Sequence, residues 1–241
     1  MVDALSRSIR SLVLLVAMLA AQAVAAATIA VDVGHTREAP GAMSARGRAE
    51  FEFNLELAAD IDAALRLRGL ATRLVGADGN MARLSARTRA ANGADFLLSV
   101  HHDSVQPHYL EAWEYAGEAR WFSDRFSGFS LFVSRKNPRL ARSLRCASAI
   151  GAALRAAGFS PSLYHAQRIA GESKPFADRV NGVHYFDNLV VLKTAASPAV
   201  LLEAGVIVNR NEELELAQAA TRRRIATAVA DGLPSCQPDK R

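Results

Sequence analysis

The chain has 241 residues, of which 50% are hydrophobic and 22% charged, and its formal net charge is +5. That length is typical of one domain, and the apolar content excludes a disordered, low-complexity chain. A multi-span membrane protein is also excluded, because the long apolar run at the start of the sequence is not repeated later.

The N-terminal segment differs from the rest of the sequence. Arg7 and Arg10 precede an uncharged stretch, residues 11–27, in which Ala23 to Ala25 (AVA) fits an A-x-A cleavage site. This pattern is typical of a secretory signal peptide; an uncleaved membrane anchor is the alternative, because the stretch could nearly span a bilayer. We therefore predict that residues 1–27 are a signal peptide, that the protein is exported to the periplasm or cell wall, and that no stable membrane span remains after cleavage.

Charge and cysteine content agree with an exported protein. Loss of residues 1–27, which contain Asp3, Arg7 and Arg10, leaves a net charge of +4. A basic exported protein is expected to meet an anionic surface such as the cell wall, and we predict no nucleic-acid partner. Cys146 and Cys236 could pair in an oxidising compartment or remain two separate thiols, and the sequence leaves both outcomes open.

Strands and helices alternate in the first half of the mature chain. Strands are expected at residues 28–33, 70–75 and 96–100, and helices at residues 50–68 and 81–92. The run FLLSV at 96–100 is wholly apolar, which is typical of the centre of a parallel sheet. This order predicts an α/β fold: a single domain with a twisted, mostly parallel sheet flanked by helices.

The second half of the chain is less regular. Strands are expected at 113–115, 129–133, 189–192 and 200–203, and helices at 138–158 and 212–233. Residues 159–188 show no clear periodicity and predict a long loop, and loops of that length are usually functional or mobile. We assign residues 28–234 to one catalytic domain and 235–241 to a short C-terminal tail.

Polar residues stand where three of the predicted strands end. His35, His101 and Glu203 occupy these positions, and Glu50 begins the first helix. Because the carboxyl ends of parallel strands meet at one edge of a sheet, these side chains could converge. Two imidazoles and a carboxylate would form a three-ligand zinc site with an open position for water, and a second carboxylate would serve as general base. Each residue alone also has an ordinary structural explanation, such as a satisfied core histidine or a helix-terminal carboxylate.

Sequence motifs around these residues follow one another in a specific order. They are D-x-G-H at Asp32 to His35, G-x-x-E at Gly47 to Glu50, L-x-x-R at Leu84 to Arg87, S-x-H at Ser99 to His101, and P-x-V-L-x-E-x-G-x-x-x-N at Pro198 to Asn209. With these motifs, the chain from Ile29 to Leu233 resembles the zinc-dependent N-acetylmuramoyl-L-alanine amidases of the type called amidase 3.

The resemblance implies a reaction and a role for each residue. His35, Glu50 and His101 would be the ligands of a Zn²⁺ cofactor, and Glu203 would be the catalytic carboxylate. The implied substrate is peptidoglycan, cleaved at the amide between the lactyl group of N-acetylmuramic acid and L-alanine of the stem peptide. Some members of the family carry a helix that plugs the site until an activator removes it. A protein activator is therefore an implied partner, and residues 159–188, with Glu172 in their middle, are a candidate lid.

Departures from the family pattern leave alternatives. Thr36 and Arg37 replace the usual Gly-Gly, Val33 replaces the usual Pro, and His102 is a rival to His101 as ligand. Strand alternation would direct only one of the two imidazoles to the metal, and the family register favours His101. The alternative functions are a zinc peptidase or carboxypeptidase acting on stem peptides and a non-catalytic wall-binding protein. The second is disfavoured because a binding protein need not keep Glu203.

Overall fold

The computed structural model of the protein describes residues 27–236, without the side chains of Ser235 and Cys236. The predicted signal peptide up to residue 26 and residues 237–241 of the predicted tail lie outside this range. Within residues 27–236, no helix combines the length and apolar character needed to cross a membrane. Of the two cysteines, whose pairing the sequence leaves open, Cys146 is buried and is not a free thiol, and the side chain of Cys236 lies outside the described part.

The described elements alternate as predicted in the first half of the chain. The strands are β1 (Thr28–Val33), β2 (Ala71–Val75), β3 (Phe96–Asp103), β4 (Glu111–Tyr115), β5 (Glu118–Phe122), β6 (Ser130–Val133), β7 (Phe176–Asp178), β8 (Val183–Tyr185) and β9 (Ala199–Val206). The helices are α1 (Glu50–Leu67), α2 (Leu84–Ala90), α3 (Leu140–Ala156), α4 (Val190–Thr194), α5 (Glu212–Leu216) and α6 (Ala219–Gly232).

One seven-stranded sheet organises the domain, in the order β2-β1-β3-β9-β6-β8-β7. The strands β2, β1, β3 and β9 run parallel to one another, as does the pair β6 and β8. Two pairs, β6 with β9 and β7 with β8, are antiparallel. The prediction of a single α/β domain with a mostly parallel sheet flanked by helices is confirmed.

Side-chain alternation along the central strands gives the sheet two buried faces. Val31, Leu98 and Leu202 belong to a core shared with α1, α3 and α6, whereas Leu97 and Leu201 belong to a core shared with α2 and α4. Strands buried on both faces explain the continuous apolar runs of the sequence. The alternation also decides which face each polar residue at a strand end will take.

Two predicted elements in the second half are wrong in type or extent. Residues 189–192, expected as a strand, form the start of helix α4, because a short apolar run does not distinguish a buried strand from a buried helix turn. The helix expected at 212–233 is two helices, since Gln218 is extended, with φ −77° and ψ 127°. Asn209 precedes the first of them, and its Oδ1 accepts hydrogen bonds from the backbone N–H groups of Asn211 and Glu212, both at 3.0 Å.

The predicted long loop at 159–188 carries more structure than its sequence suggests. It contains a 3-10 turn at Tyr164–Ala166 and the strands β7 and β8, which extend the main sheet. Strands of three residues are too short to show a periodic pattern. This segment is therefore part of the domain rather than an excursion from it.

Candidate metal centre

The side chains of His35, Glu50 and His101 converge at the carboxyl end of the sheet. Nε2 of His35 lies 2.9 Å from Oε2 of Glu50, and Nδ1 of His101 lies 3.0 Å from Oε1 of the same carboxylate. The two imidazole rings are 4.9 Å apart at an angle of 74°. One ligand atom from each residue lies within 4.8 Å of the others. Two imidazoles and a carboxylate in this arrangement could hold Zn²⁺ and leave a coordination position open.

The turn after β1 fixes the position of His35. His35 has φ +69°, a left-handed conformation that costs energy in a non-glycine residue. The buried guanidinium of Arg87 from α2 donates to the backbone carbonyls of Val33 and His35 and pairs with Oδ1 of Asp32 at 2.8 Å. Ser99 donates to the other oxygen of Asp32 at 2.7 Å. These charge-assisted bonds hold the strained turn and so direct the imidazole towards Glu50.

Glu50 opens α1, and both oxygens of its carboxylate accept hydrogen bonds. Oε2 accepts from the backbone N–H of Ala42 at 3.1 Å, and Oε1 accepts from Nδ2 of Asn54 at 3.1 Å. Asn54 follows Glu50 by four residues and therefore shares its face of the helix. Burial alone would raise the pKa of Glu50, but hydrogen bonds with His101 and His35 outweigh it and lower the pKa below the ordinary value. The site therefore presents an anionic carboxylate to a cation.

Two glycines leave room for the candidate ligands. A Cβ atom at Gly41 would overlap Oε2 of Glu50, and one at Gly34 would overlap the ring of His101. Gly41 also has φ +81°, in the left-handed region that glycine adopts without strain. The backbone therefore approaches the ligand atoms more closely than any other residue type would allow.

The neighbouring histidines of β3 face opposite sides of the sheet. The ring of His102 is buried on the α1 side, 5.4 Å from the ring of Phe53, and its Nδ1 lies 2.8 Å from Oδ1 of Asn54. Burial lowers the pKa of His102 to about 3, so the ring is neutral. His101 therefore contacts Glu50 and His35. His102 contacts Asn54 instead, which in turn donates to Glu50.

Glu203 projects beside this group from the neighbouring strand. It is the register partner of His101 between the parallel strands β9 and β3. Its Oε2 is buried and has no hydrogen-bond partner among the described residues. Burial, with the carboxylates of Asp103 and Glu50, raises the pKa of Glu203 well above its ordinary value. A buried polar atom without a partner is costly, so this oxygen fits a site that acquires a further ligand.

A cavity of about 400 Å³ opens next to the candidate ligands. His35 and His101 line it, and its other walls are mainly apolar, including Ala39, Leu84 and Val190. A larger cavity of about 680 Å³ lies between α3 and α6 and contains none of the four site residues. We regard the smaller cavity as the functional one, because it alone of the two reaches groups that can do chemistry.

A buried ionic network adjoins the site at Asp103, two residues after His101. His165 lies between two carboxylates, with Nε2 2.7 Å from Asp103 and Nδ1 2.8 Å from Glu172. Glu172 is also bound by Nζ of Lys174 at 2.6 Å and Nε2 of Gln106 at 2.8 Å. This network ties the segment that contains residues 164–174 to the end of β3. The carboxylate of Glu172, at the middle of the candidate lid, is bound within it.

Sequence patterns named the four candidate positions but did not assign the supporting contacts that surround them. Asn54 was given no role, Asp32 and Arg87 appeared only as parts of motifs, and His102 was considered only as a rival ligand. The spacing of four residues between Glu50 and Asn54 on one helix is the signal that could have found Asn54. No comparable signal exists for Arg87, whose contacts with β1 depend on how α2 packs on the sheet.

Comparison with known proteins agrees with the fold and shows the family. Residues 29–235 match the family model described as N-acetylmuramoyl-L-alanine amidase. The AmiA amidase of Escherichia coli is 28% identical over 222 residues, which cover 86% of this chain and 75% of AmiA. The catalytic domain of CwlV from Bacillus (Paenibacillus) polymyxa has a similar fold, with a TM-score of 0.64, 24% identity, and coverage of 86% of this chain and 96% of CwlV. Ami1 from Mycobacterium abscessus gives a TM-score of 0.68 at 20% identity, covering 88% of this chain and 99% of Ami1. With the family model matched over nearly all the described residues, the chain belongs to the N-acetylmuramoyl-L-alanine amidase family.

Proposed function

We propose that this protein is a zinc-dependent hydrolase that cleaves the amide between the lactyl group of N-acetylmuramic acid and L-alanine of the peptidoglycan stem peptide. The observation that carries the proposal is the convergence of His35, Glu50 and His101 within 4.8 Å, with Glu203 in register beside His101. Membership of the amidase family supports the reaction type. We assign the three convergent residues as ligands and Glu203 as the catalytic carboxylate.

Glu203, Asn54 and Arg87 have separate roles in the proposed reaction. When bound, zinc supplies Lewis-acid chemistry, which polarises the amide carbonyl and lowers the pKa of water, so that a nucleophile is available at neutral pH. Glu203, whose Oε2 has no partner among the described residues, takes the proton of the attacking water. The same carboxyl group then protonates the leaving nitrogen of L-alanine. Asn54 and Arg87 hold Glu50 and His35 in place throughout.

The apolar cavity suits the peptide side of the scissile bond. Its walls at Ala39, Leu84 and Val190 are small or aliphatic, and it adjoins both His35 and His101. The methyl group of L-alanine is apolar and gains free energy by leaving water. We therefore assign this cavity to the first residue of the stem peptide.

The place of action and the partners also belong to the proposal. The pattern of residues 1–27 supports export through a cleaved signal peptide, followed by a catalytic domain at 28–234 and a short tail. The basic charge supports contact with the anionic wall. A protein activator is the further partner that family membership suggests.

The test uses the purified protein and purified peptidoglycan. We expect release of intact stem peptides, identified by mass, with loss of activity on chelation, recovery on adding zinc, and no release by Glu203→Gln. Shortened stem peptides would indicate a peptidase instead, and binding to peptidoglycan without release of peptides would indicate a wall-binding protein. Activity that survives chelation would contradict the zinc assignment, and a higher rate on adding a protein partner would identify that partner as an activator.

A further inference from the structure

A two-stranded hairpin, formed by β4 and β5, lies outside the main sheet and packs against the loop that precedes Glu50. In the described structure, β4 and β5 pair only with each other, around a turn in which Ala116 and Gly117 have φ +53° and +80°. Nε1 of Trp113 in β4 donates to the backbone carbonyl of Ala45 at 3.0 Å. The hairpin is thus attached to the same loop whose Ala42 N–H binds the carboxylate of Glu50.

The two faces of this hairpin differ in what they contact. Trp113 stacks with Tyr115 on one face, and the guanidinium groups of Arg46 and Arg210 lie within 5.4 Å of the Trp113 ring centroid. The other face presents Trp121, which is 59% exposed. Its partner across the strands is Ala112, so no bulky side chain covers the indole from that position. An exposed tryptophan with small neighbours contributes little to stability and is open to a ligand.

A groove of about 290 Å³ lies beside this exposed ring, against the loop that precedes Glu50. Its walls include Ala42, Met43, Ser104, Ala119, Arg120 and Trp121. Ala42 belongs to the wall, and its backbone N–H also donates to the proposed ligand Glu50, so one wall residue of the groove contacts the candidate metal centre directly. Met43 and Trp121 are two of the large apolar side chains that the described surface exposes, and they meet in this groove.

Arg120 adds an unused donor to the groove. Its guanidinium lies over Gly47, where a Cβ atom would come within 2.5 Å of Cζ. Nε of Arg120 is buried and has no hydrogen-bond partner among the described residues. A buried donor of a charged group without a partner is unfavourable, and an acceptor oxygen from a ligand would satisfy it. Arg120 starts from the Trp113 face of the hairpin, as the register partner of Trp113, but it lines the groove together with Trp121. The groove is therefore bordered by an exposed aromatic ring and by a cation that lacks an acceptor at one donor among the described residues.

We propose that this groove binds the glycan side of the substrate, with a sugar ring packed on Trp121 and a sugar-borne oxygen accepting from Arg120. The inference rests on the proposed amidase function. The scissile amide joins a sugar-borne lactyl group to a peptide. With the amide at the metal centre, the glycan and the peptide must therefore extend from it in different directions. The apolar cavity at Leu84 suits the peptide, whereas an N-acetylhexosamine has an apolar C–H face for the indole and carbonyl or carboxylate oxygens for a guanidinium.

A binding measurement tests the groove without any need for catalysis. The probe is a peptide-free oligosaccharide of alternating N-acetylglucosamine and N-acetylmuramic acid, titrated against the full chain by calorimetry. We expect Trp121→Ala to weaken binding by roughly tenfold, which corresponds to the loss of one aromatic contact. Trp121→Phe, which keeps a ring, is expected to retain most of the affinity. The control is Leu67→Ala, an exposed apolar residue at the opposite end of α1 from Glu50.

Kinetics with two substrates then assign the groove to the glycan rather than to the peptide. Trp121→Ala should raise KM for the glycan-borne stem peptide and leave kcat unchanged. For a lactoyl-L-alanyl peptide that lacks the sugar, the same variant should match the wild type. Equal effects on both substrates, or an unchanged oligosaccharide affinity in Trp121→Ala, would overturn the proposal. Because the oligosaccharide is not hydrolysed, its binding can succeed or fail independently of the amidase reaction.

Discussion

His101 and Glu203 are register partners on the adjacent parallel strands β3 and β9. Partners in neighbouring strands lie about 5 Å apart and direct their side chains to the same face. The candidate ligand and the candidate base are therefore placed by the backbone ladder of the central sheet, not by a loop. A site built on strands holds its geometry better than one built on loops.

Glu203→Gln tests the role of this carboxyl group. Gln keeps the shape but loses the proton-accepting oxygen, so hydrolysis should fall roughly 100- to 10,000-fold. Zinc content, measured by mass spectrometry of the metal, should equal that of the wild type, because Glu203 is not among the three convergent ligands. Thermal stability should be unchanged or higher, since the buried Oε2 has no partner to lose among the described residues. A variant that keeps wild-type activity would exclude Glu203 as the base.

The pair His101→Ala and His102→Ala separates the two neighbouring histidines. Removing the imidazole of His101 should abolish stoichiometric zinc binding, because it is one of the three groups that could hold the ion. Removing that of His102 should lower the free energy of unfolding by about 2 kcal/mol through loss of a buried ring and its bond to Asn54. One zinc per chain should still bind to His102→Ala at saturating metal. Loss of the metal from His102→Ala, with retention in His101→Ala, would reverse the assignment.

Much of the fold was predictable because the central strands have strong local signals. The apolar runs around Val31 and Leu98 are buried on both faces, and their order with α1 and α2 determines a parallel sheet. The helix α4 was not predictable, since a run such as Leu189 to Leu192 fits either a strand or a helix turn. The strand β5 was also missed, because its Ala-Gly turn is a weaker hairpin signal than Asn-Gly.

At the site, sequence motifs located the residues but not their environment. His35 and His101, which follow predicted strands, converge with Glu50 at the start of α1. The unpartnered oxygen of Glu203 and the bonds of Arg87 to the β1 turn arise only from packing between distant elements. Such contacts depend on side-chain directions that periodicity does not encode.

Gly41→Ala tests the close approach of the backbone to the ligands. Its Cβ would overlap Oε2 of Glu50, so the carboxylate must move and zinc affinity should fall by at least tenfold. Gly93→Ala is the matched control, because Gly93 has the same φ of +81° and no atom within 4 Å of the added Cβ. Both variants should lose about 1 kcal/mol of stability from the left-handed backbone, but only Gly41→Ala should lose zinc affinity in a competition titration. Equal zinc affinities in the two variants would show that the contact with Glu50 is unimportant.

The network around His165 should make the stability of the protein depend on pH in a defined direction. Burial opposes protonation of His165, but the carboxylates of Asp103 and Glu172 outweigh it and raise the pKa from 6.5 to about 9. The stabilisation from this histidine is therefore complete below pH 6.5 and is lost as the pH rises through 9. Burial would raise the pKa of Glu172, but its bonds to His165, Lys174 and Gln106 lower it from 4.5 to about 2. Its stabilisation is present above pH 4.5 and is lost as the pH falls through 2.

Urea unfolding of the wild type and of His165→Gln at several pH values measures this dependence. Between pH 6 and pH 9.5 the wild type should lose on the order of 3 kcal/mol that the variant does not lose, because the variant has no proton to release there. At pH 6 the variant should be the less stable protein, since Asp103 and Glu172 remain buried without the cation between them. His108→Gln, at an exposed position in a 3-10 turn, is the control and should keep the wild-type profile. If His165→Gln follows the wild-type curve across this range, His165 is not the cation that ties residues 164–174 to the end of β3.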